Sequence, residues 1–195
     1  MHGPPSPLLA AAATVPAPPE PPRRAPPRPA SQDPGVLGRL AEAEALDVLC
    51  LQEHKLQEGQ HCEDAGAALA AELPGWGLHW SCSTTRKGYS GTALLCRPGA
   101  APLGVTAGLG PGDAAHEGEG RVLTAEYSHH FLVNVYVPNA GGELKRLDYR
   151  VGEWDPALAA YLKGLEARGK PVVLTGERRR ACKIMCKAAC PPAAP

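Results

Sequence analysis

The run Leu46–Gln52, closed by Glu53, His54 and Lys55, limits the possible folds of this 195-residue chain more than any other stretch. Leu46, Val48, Leu49, Cys50 and Leu51 are apolar, and a short, nearly continuous run of this kind reads as a buried strand. Helical periodicity precedes it at Val36, Leu37, Leu40 and Ala41, and an alanine-rich helix is expected after it over Asp64–Leu73, ended by Pro74-Gly75. A buried strand between helices places the chain in the α/β class. Glu53 then stands at the strand's carboxyl end, where such sheets normally keep their chemistry.

The pattern downstream is a series of short strands. Trp76, Leu78 and Trp80 alternate onto one face and predict a half-buried strand over Trp76–Ser81. Further strands are expected at Gly91–Cys96, Leu103–Ala107, Arg121–Tyr127, Phe131–Val137 and Val172–Leu174, the last ending at Thr175-Gly176, with Gly- and Pro-rich turns between them. Between Leu144 and Glu166 the apolar residues Leu147, Val151, Trp154, Leu158, Leu162 and Leu165 recur at helical spacing. They predict one long amphipathic helix, which Pro156 helps only if a new turn starts at Asp155.

The ends of the chain differ from this middle. Residues 1–35 are mostly Pro, Ala and small polar residues, without apolar periodicity, and are expected to be a disordered leader. No basic region precedes the short apolar run Leu8–Val15, which argues against a secretory signal; the arginines leave an organellar transit peptide open. Residues 36–176 carry the domain pattern, and residues 177–195 form a divergent basic tail. Nowhere do eighteen apolar residues run together, so no membrane span is expected.

Lys plus Arg and Asp plus Glu both number 20, but Gly35–Gly176 holds twelve bases against seventeen acids. That balance argues mildly against a broad electrostatic footprint on nucleic acid, although acids can cluster around a cation. The seven cysteines are irregularly spaced and suggest no disulfide framework. Cys50 and Cys96 fall inside strand patterns, where a free thiol behaves as a small hydrophobe. Cys182, Cys186 and Cys190 share one helical face, but no nearby histidine completes a zinc site.

Four phrases concentrate polar residues at turns and strand ends. Leu49-Cys50-Leu51-Gln52-Glu53 supplies a carboxylate of the kind that Mg²⁺ takes. Arg86 precedes Gly88-Tyr89-Ser90-Gly91, a turn that would also suit simple strand entry. Glu117-Gly118-Glu119-Gly120-Arg121 could be a plain polar hairpin, yet Arg121 carries a guanidinium fork that matches phosphate oxygens. Asn134-Val135-Tyr136-Val137-Pro138-Asn139-Ala140-Gly141 closes a strand and opens a loop, with Arg146 and Tyr149 beyond.

In this order, from about Leu46 to Gly176, the phrases resemble the exonuclease III class of apurinic/apyrimidinic endonucleases. The wording of Leu144–Leu147 and Val172–Gly176 is nearest to plant-type members. The resemblance implies a four-layer α/β sandwich of two packed sheets, the endonuclease/exonuclease/phosphatase fold. It implies Mg²⁺, or Mn²⁺, as cofactor and duplex DNA with abasic sites as partner, with no membrane and no obligate oligomer. The implied reaction is hydrolysis of the phosphodiester 5′ to the abasic site in base excision repair, with a related 3′–5′ exonuclease activity. The nucleus is the compartment that fits, and a chloroplast or mitochondrion is the alternative. By the same resemblance Glu53 would hold the metal and Tyr136 the phosphate. Arg86, Tyr89, Arg121 and Arg146 would line the DNA backbone, and Asn139 would support the loop.

The sequence also departs from the family pattern. Gly176-Glu177-Arg178-Arg179 stands where relatives read Gly-Asp-Leu-Asn, so Glu177 replaces the water-activating aspartate with a longer carboxylate. Gly142 stands where some relatives carry an arginine that probes the duplex. The family's opening metal-site asparagine strand and its late aspartate–histidine pair have no counterpart. Because such hydrolysis needs several groups held together, little or no turnover is expected. Two alternatives are a DNA- or protein-binding fragment without catalysis and a phosphatase of the same superfamily.

Overall fold

The computed structural model describes residues 35–110, 116 and 118–177. The chain divides into Met1–Asp33 and Pro34–Pro195, and everything described belongs to the second unit. The expected leader and all but the first residue of the expected tail lie outside the described residues.

Among the described residues, seven strands form two sheets. β1 (Val48–Gln52), β2 (Gly77–Ser81) and β3 (Thr92–Cys96) make an antiparallel sheet in the order β1-β3-β2. β4 (Gly104–Ala107), β5 (Val122–Glu126), β6 (Phe131–Tyr136) and β7 (Val172–Glu177) follow in that order in the second sheet. Its pairs are antiparallel except β6–β7, which is parallel because helix α3 (Asp155–Glu166) carries the chain back between them. Two further helices, α1 (Val36–Ala43) and α2 (Gln60–Glu72), precede and follow β1.

Side-chain alternation turns these elements into four layers. On β3, Ala93 and Leu95 face a cluster with Leu37 and Ala41 of α1 and Leu69 of α2. Leu94 and Cys96 face the other way, against Leu123 and Ala125 of β5 and Leu132 of β6. On β6, Phe131, Val133 and Val135 turn outward to Leu158, Leu162 and Leu165 of α3 and to Trp154. The three clusters are the three interfaces of an α/β/β/α sandwich, as the resemblance implied. Each fully buried Leu or Val contributes roughly 1.5–3 kcal/mol, so these interfaces are the main favourable term of the fold. Cys50 and Cys96 lie in the inter-sheet cluster as expected, and burial, then the neighbouring Cys96, pushes the Cys50 thiol up to about 11.

The first turn of α1 has an unusual partner: the Leu37 N–H donates to Glu72 Oε2 of α2 at 3.1 Å. A carboxylate suits a helix N-terminus, where backbone donors lack intrahelical acceptors.

The expected continuous helix from Leu144 to Glu166 is corrected by the structure. A 3₁₀ turn at Gly142–Leu144 and one α-turn at Leu147–Tyr149 lead into a π-helical segment, Arg150–Trp154, before α3 begins at Asp155. Pro156 explains the break. It has no N–H to give an i−4 carbonyl, and its ring would meet that carbonyl in a regular α-helix. At the start of α3 the missing donor costs nothing. The widened turn also packs Trp154 wholly inside the core.

Candidate functional site

The carboxyl ends of β1, β6 and β7 lie together, since β1 packs on both β6 and β7. Gln52, the last residue of β1, donates from Nε2 to Asn134 Oδ1 of β6 at 2.6 Å. Asn134 is fully buried, and its Nδ2 donates to the carbonyls of Leu51 and Ala93, both at 3.0 Å. A buried amide left without partners would cost about 1–3 kcal/mol; satisfied on both sides, this one ties the sheets together.

Glu53 follows at φ 58°. Its N–H donates to Gly91 O at 2.8 Å, and the Lys55 N–H donates to Ser90 O at 2.9 Å. These bonds hold the end of β1 beside the Gly88–Gly91 turn. The Glu53 carboxylate is 42% exposed and lies 3.3 Å from Lys55 Nζ.

Tyr136 ends β6, and the parallel register sets the Glu177 backbone opposite it. This close pairing depends on Gly176, whose φ is 134° and at which a Cβ would collide with Val135 O. Strand β7, expected to end at Thr175-Gly176, runs on to Glu177. The Glu177 side chain lies outside the described residues.

The most organised part of the site surrounds Tyr89. Arg121, with its side chain 2% exposed, donates to Glu119 Oε2 at 2.5 Å, to Tyr136 O at 3.0 Å and to Tyr89 Oη at 2.8 Å. Arg146 reaches the same two acceptors, Tyr89 Oη at 3.0 Å and Glu119 Oε1 at 3.2 Å. One tyrosine oxygen and one carboxylate are thus each shared by two guanidiniums. The rings interleave with the cations: Arg121 lies 5.4 Å from the Tyr89 centroid and 4.9 Å from that of Tyr136. Arg86 lies 5.3 Å from Tyr89, and Arg146 lies 5.0 Å from Tyr149. Such contacts add about 0.5–1 kcal/mol each at exposed sites and fix the planes.

Burial works against the Arg146 charge, but Glu119 and the Tyr89 hydroxyl outweigh it and raise its pKa. Burial first, and then the charge of Glu119, also raises that of Tyr149, whose hydroxyl meets His116 Nδ1 at 2.9 Å. Three guanidiniums against one carboxylate leave this wall cationic. Asn139 shapes the adjoining loop, its Oδ1 accepting the Gly141 N–H at 3.1 Å, while the Arg146 N–H closes the loop onto Ala140 O at 2.7 Å.

The structure thus brings Arg86, Tyr89, Arg121, Tyr136 and Arg146 into one wall, sets Glu53 at the next turn and Asn139 in the loop beneath. Arg121 points inward and acts through Tyr89, Tyr136 and Glu119. Sequence reasoning missed Glu119 as the shared anion, although its alternation with glycines before Arg121 was visible. Asn134 stood at the head of the Tyr136 phrase with no role assigned to it, although a lone amide in the apolar run Phe131–Val137 was a signal.

Two facing sheets covered by helices, with a cationic, tyrosine-lined wall and a carboxylate at one end, define a four-layer α/β sandwich with a polar site at its strand ends. The chain belongs to the Endonuclease/Exonuclease/phosphatase family, whose model matches residues 17–176. It is 47% identical over 135 residues to the DNA repair nuclease APEX1 of Danio rerio, covering 67% of this chain and 39% of that protein. With a DNA-(apurinic or apyrimidinic site) endonuclease of Dictyostelium discoideum it shares 41% identity over 138 residues, 70% of this chain and 35% of that one. In structure it is similar to the AP endonuclease LMAP from Leishmania major. The TM-score is 0.60 at 31% identity, covering 75% of this chain and 50% of that one. The chain therefore spans half or less of the length of these relatives.

Proposed function

We propose that this chain acts on DNA at abasic sites as a divalent-metal-dependent phosphodiesterase, opening the strand on the 5′ side. The observation that carries the reading is the Tyr89 hydroxyl, which accepts from both Arg121 and Arg146. With its oxygen accepting from two cationic donors, the hydroxyl keeps a proton to donate, and a phosphate oxygen drawn to this cationic wall would be its acceptor. The relatives named above support DNA as the polymer.

Among the described residues no three His, Cys, Asp or Glu side chains gather around a cation position, and Glu53 is the donor assigned to a metal here. Mg²⁺ commonly takes one or two carboxylates and fills its octahedron with water and substrate phosphate, and Mn²⁺ accepts the same donors. Glu53 is such a carboxylate, partly exposed at a strand end. A cation bound there supplies charge that polarises the phosphoryl oxygen and stabilises the leaving oxygen. Arg86, Tyr89 and Arg146 orient the backbone, Arg121 holds Tyr89 and Tyr136 in place, and Tyr136 lies beside the phosphate. Glu177 is the candidate to accept the water proton, because its backbone pairs with Tyr136. The longer carboxylate predicts a low rate. The nucleus is the proposed compartment.

The test uses a duplex carrying one abasic site. Expected are binding that weakens with salt and slow Mg²⁺-dependent cutting 5′ to the site, lost in Glu53→Gln. Binding without any cutting would assign the chain a non-catalytic role on DNA. Equal affinity for abasic and intact duplex would remove the abasic-site reading, and no binding would overturn the proposal.

A further inference from the structure

Cys62, in the first turn of α2, and Cys82, directly after β2, bring their Sγ atoms to 3.3 Å, and both are free thiols. Neither takes part in the site described above. We propose that Cys62 and Cys82 are a peroxide-sensitive dithiol that closes to an intramolecular disulfide.

The geometry asks for little movement. A disulfide is about 2.05 Å long, so the sulfurs must approach by roughly 1.3 Å, which side-chain rotation with a small shift of α2 can supply. The two thiols also differ in access. Cys62 is half-buried, whereas Cys82 is 5% exposed. Burial, then its contact with Cys62, pushes the Cys82 thiol up to about 12, and Glu58 adds in the same direction. Cys62 is therefore the sulfur that meets the oxidant. Its sulfur attacks one peroxide oxygen, the O–O bond breaks, and water leaves with a sulfenic acid on Cys62. The Cys82 sulfur then displaces the sulfenic hydroxyl, which departs as a second water with the Cys82 proton. Two thiols and one hydrogen peroxide become one disulfide and two waters.

The position of Cys82 couples this step to the cationic wall; that extension rests on the DNA reading. The Cys82 backbone packs directly on Gly120, at φ 63°, where a Cβ would stand 2.5 Å from the Cys82 carbonyl carbon. Gly120 lies between Glu119 and Arg121. On the other side, Ser83 Oγ accepts the Arg86 N–H at 3.2 Å. Drawing Cys82 toward α2 pulls on both arms of the wall.

Trypsin separates the cysteines conveniently. No Lys or Arg lies between Lys55 and Arg86, so Cys62 and Cys82 share the peptide 56–86, while Cys50 and Cys96 fall in others. The full chain is treated with hydrogen peroxide, denatured, alkylated with N-ethylmaleimide, digested and weighed. Expected is a 56–86 peptide lighter by two hydrogens that takes no alkyl group until reduced, with Cys82 alkylated in Cys62→Ser. Two alkyl groups after peroxide, a sulfinic acid on Cys62 without a disulfide, or bonding to another peptide would each overturn the dithiol. Duplex affinity is then compared between reduced and oxidised protein, with at least about a three-fold loss expected on oxidation and none in Cys62→Ser. A disulfide that leaves affinity unchanged removes the coupling to the wall. Absence of binding in both states tells against the DNA reading and leaves the dithiol standing.

Discussion

The Gln52 side-chain amide donates to that of Asn134 across 2.6 Å, joining the two sheets one residue before Glu53. Asn134 also holds the carbonyls of Leu51 and Ala93, so three hydrogen bonds meet on one buried side chain. Asn134→Ala removes all three and leaves polar groups buried. A loss of about 2–4 kcal/mol is expected in urea unfolding. Asn134→Leu, similar in size, should be no better, because the orphaned carbonyls remain. A loss below about 0.5 kcal/mol in both variants would show that water replaces the amide and that the bridge does not hold the end of β1.

Glu119 is the anion that Arg121 and Arg146 share, and the Arg121 side chain is almost wholly enclosed. Removing one partner of a buried pair typically costs about 3–5 kcal/mol. Glu119 is 22% exposed, which allows some solvation, so Glu119→Gln is expected to cost about 2–3 kcal/mol by chemical denaturation. Charge on the wall rises at the same time. If the variant binds duplex more tightly yet more non-specifically, Glu119 also tunes the field; unchanged stability would refute its role as the anchor.

These two residues also show what was legible in the sequence. The strands and helices were legible as apolar runs and helical spacing, but their stacking into four layers came only with the resemblance, since β3 is buried on both faces and Leu94 and Leu95 look alike in the sequence. The residues of the wall were legible only through the resemblance to a family. Tyr89, Arg121 and Arg146 are far apart in the chain, and no local period signals that two guanidiniums will share one hydroxyl. The roles of Asn134 and Glu119 were missed for the same physical reason: a buried amide or carboxylate is defined by its partners, and those partners come from other strands. The Cys62–Cys82 pair was invisible too, since irregular spacing says nothing about where α2 lays its first turn. The π segment was half visible, in that Pro156 demanded a new turn at Asp155 but not how the preceding helix would absorb it.

Glu126 gives a pH signature. Lys170 Nζ lies 2.7 Å from one of its carboxylate oxygens and Arg168 Nη2 lies 2.5 Å from the other, tying the end of β5 to the turn before β7. The hydrogen bonds from Lys170, then Arg168, lower its pKa below the ordinary carboxylate value. A carboxylate whose folded pKa is depressed contributes stability above its unfolded pKa, and that contribution disappears as pH falls through the folded value. Glu126→Gln should therefore lower Tm at neutral pH, and the difference from the parent chain should shrink to nothing in the acid range below pH ~4. A difference that stays constant with pH would mean that packing, not charge, is what the variant removes.

Gly176 tests the pairing that sets Glu177 opposite Tyr136. With φ at 134° and Val135 O in the way of a Cβ, Gly176→Ala forces β7 away from β6. Strained backbone and steric overlap together are expected to cost about 3 kcal/mol or more. Hydrogen exchange on the amides of Thr175 and Glu177 should rise while that of β3, in the other sheet, changes little. Protection retained at both amides would show that the strand end tolerates a side chain and that its register is not set by this glycine.

Tyr89 carries the functional reading furthest. Its oxygen accepts from Arg121 and Arg146, and its ring lies against Arg86 and Arg121. Tyr89→Phe keeps the ring and its cation contacts but removes the shared acceptor and the hydroxyl proton. Two guanidinium donors then lose a partner, one of them on an enclosed side chain, and a stability loss of about 1–2 kcal/mol is expected. The larger effect should fall on binding, since losing a hydrogen bond to a charged phosphate corresponds to about ten-fold or more in Kd. Salt separates the two contributions. Tyr89 bears no charge, so the variant should weaken duplex binding while leaving the slope of log Kd against log salt unchanged, whereas Arg86→Ala should lower that slope by about one phosphate contact. Duplex affinity equal to that of the parent chain, in a variant shown to be folded, would place the DNA backbone elsewhere on the molecule.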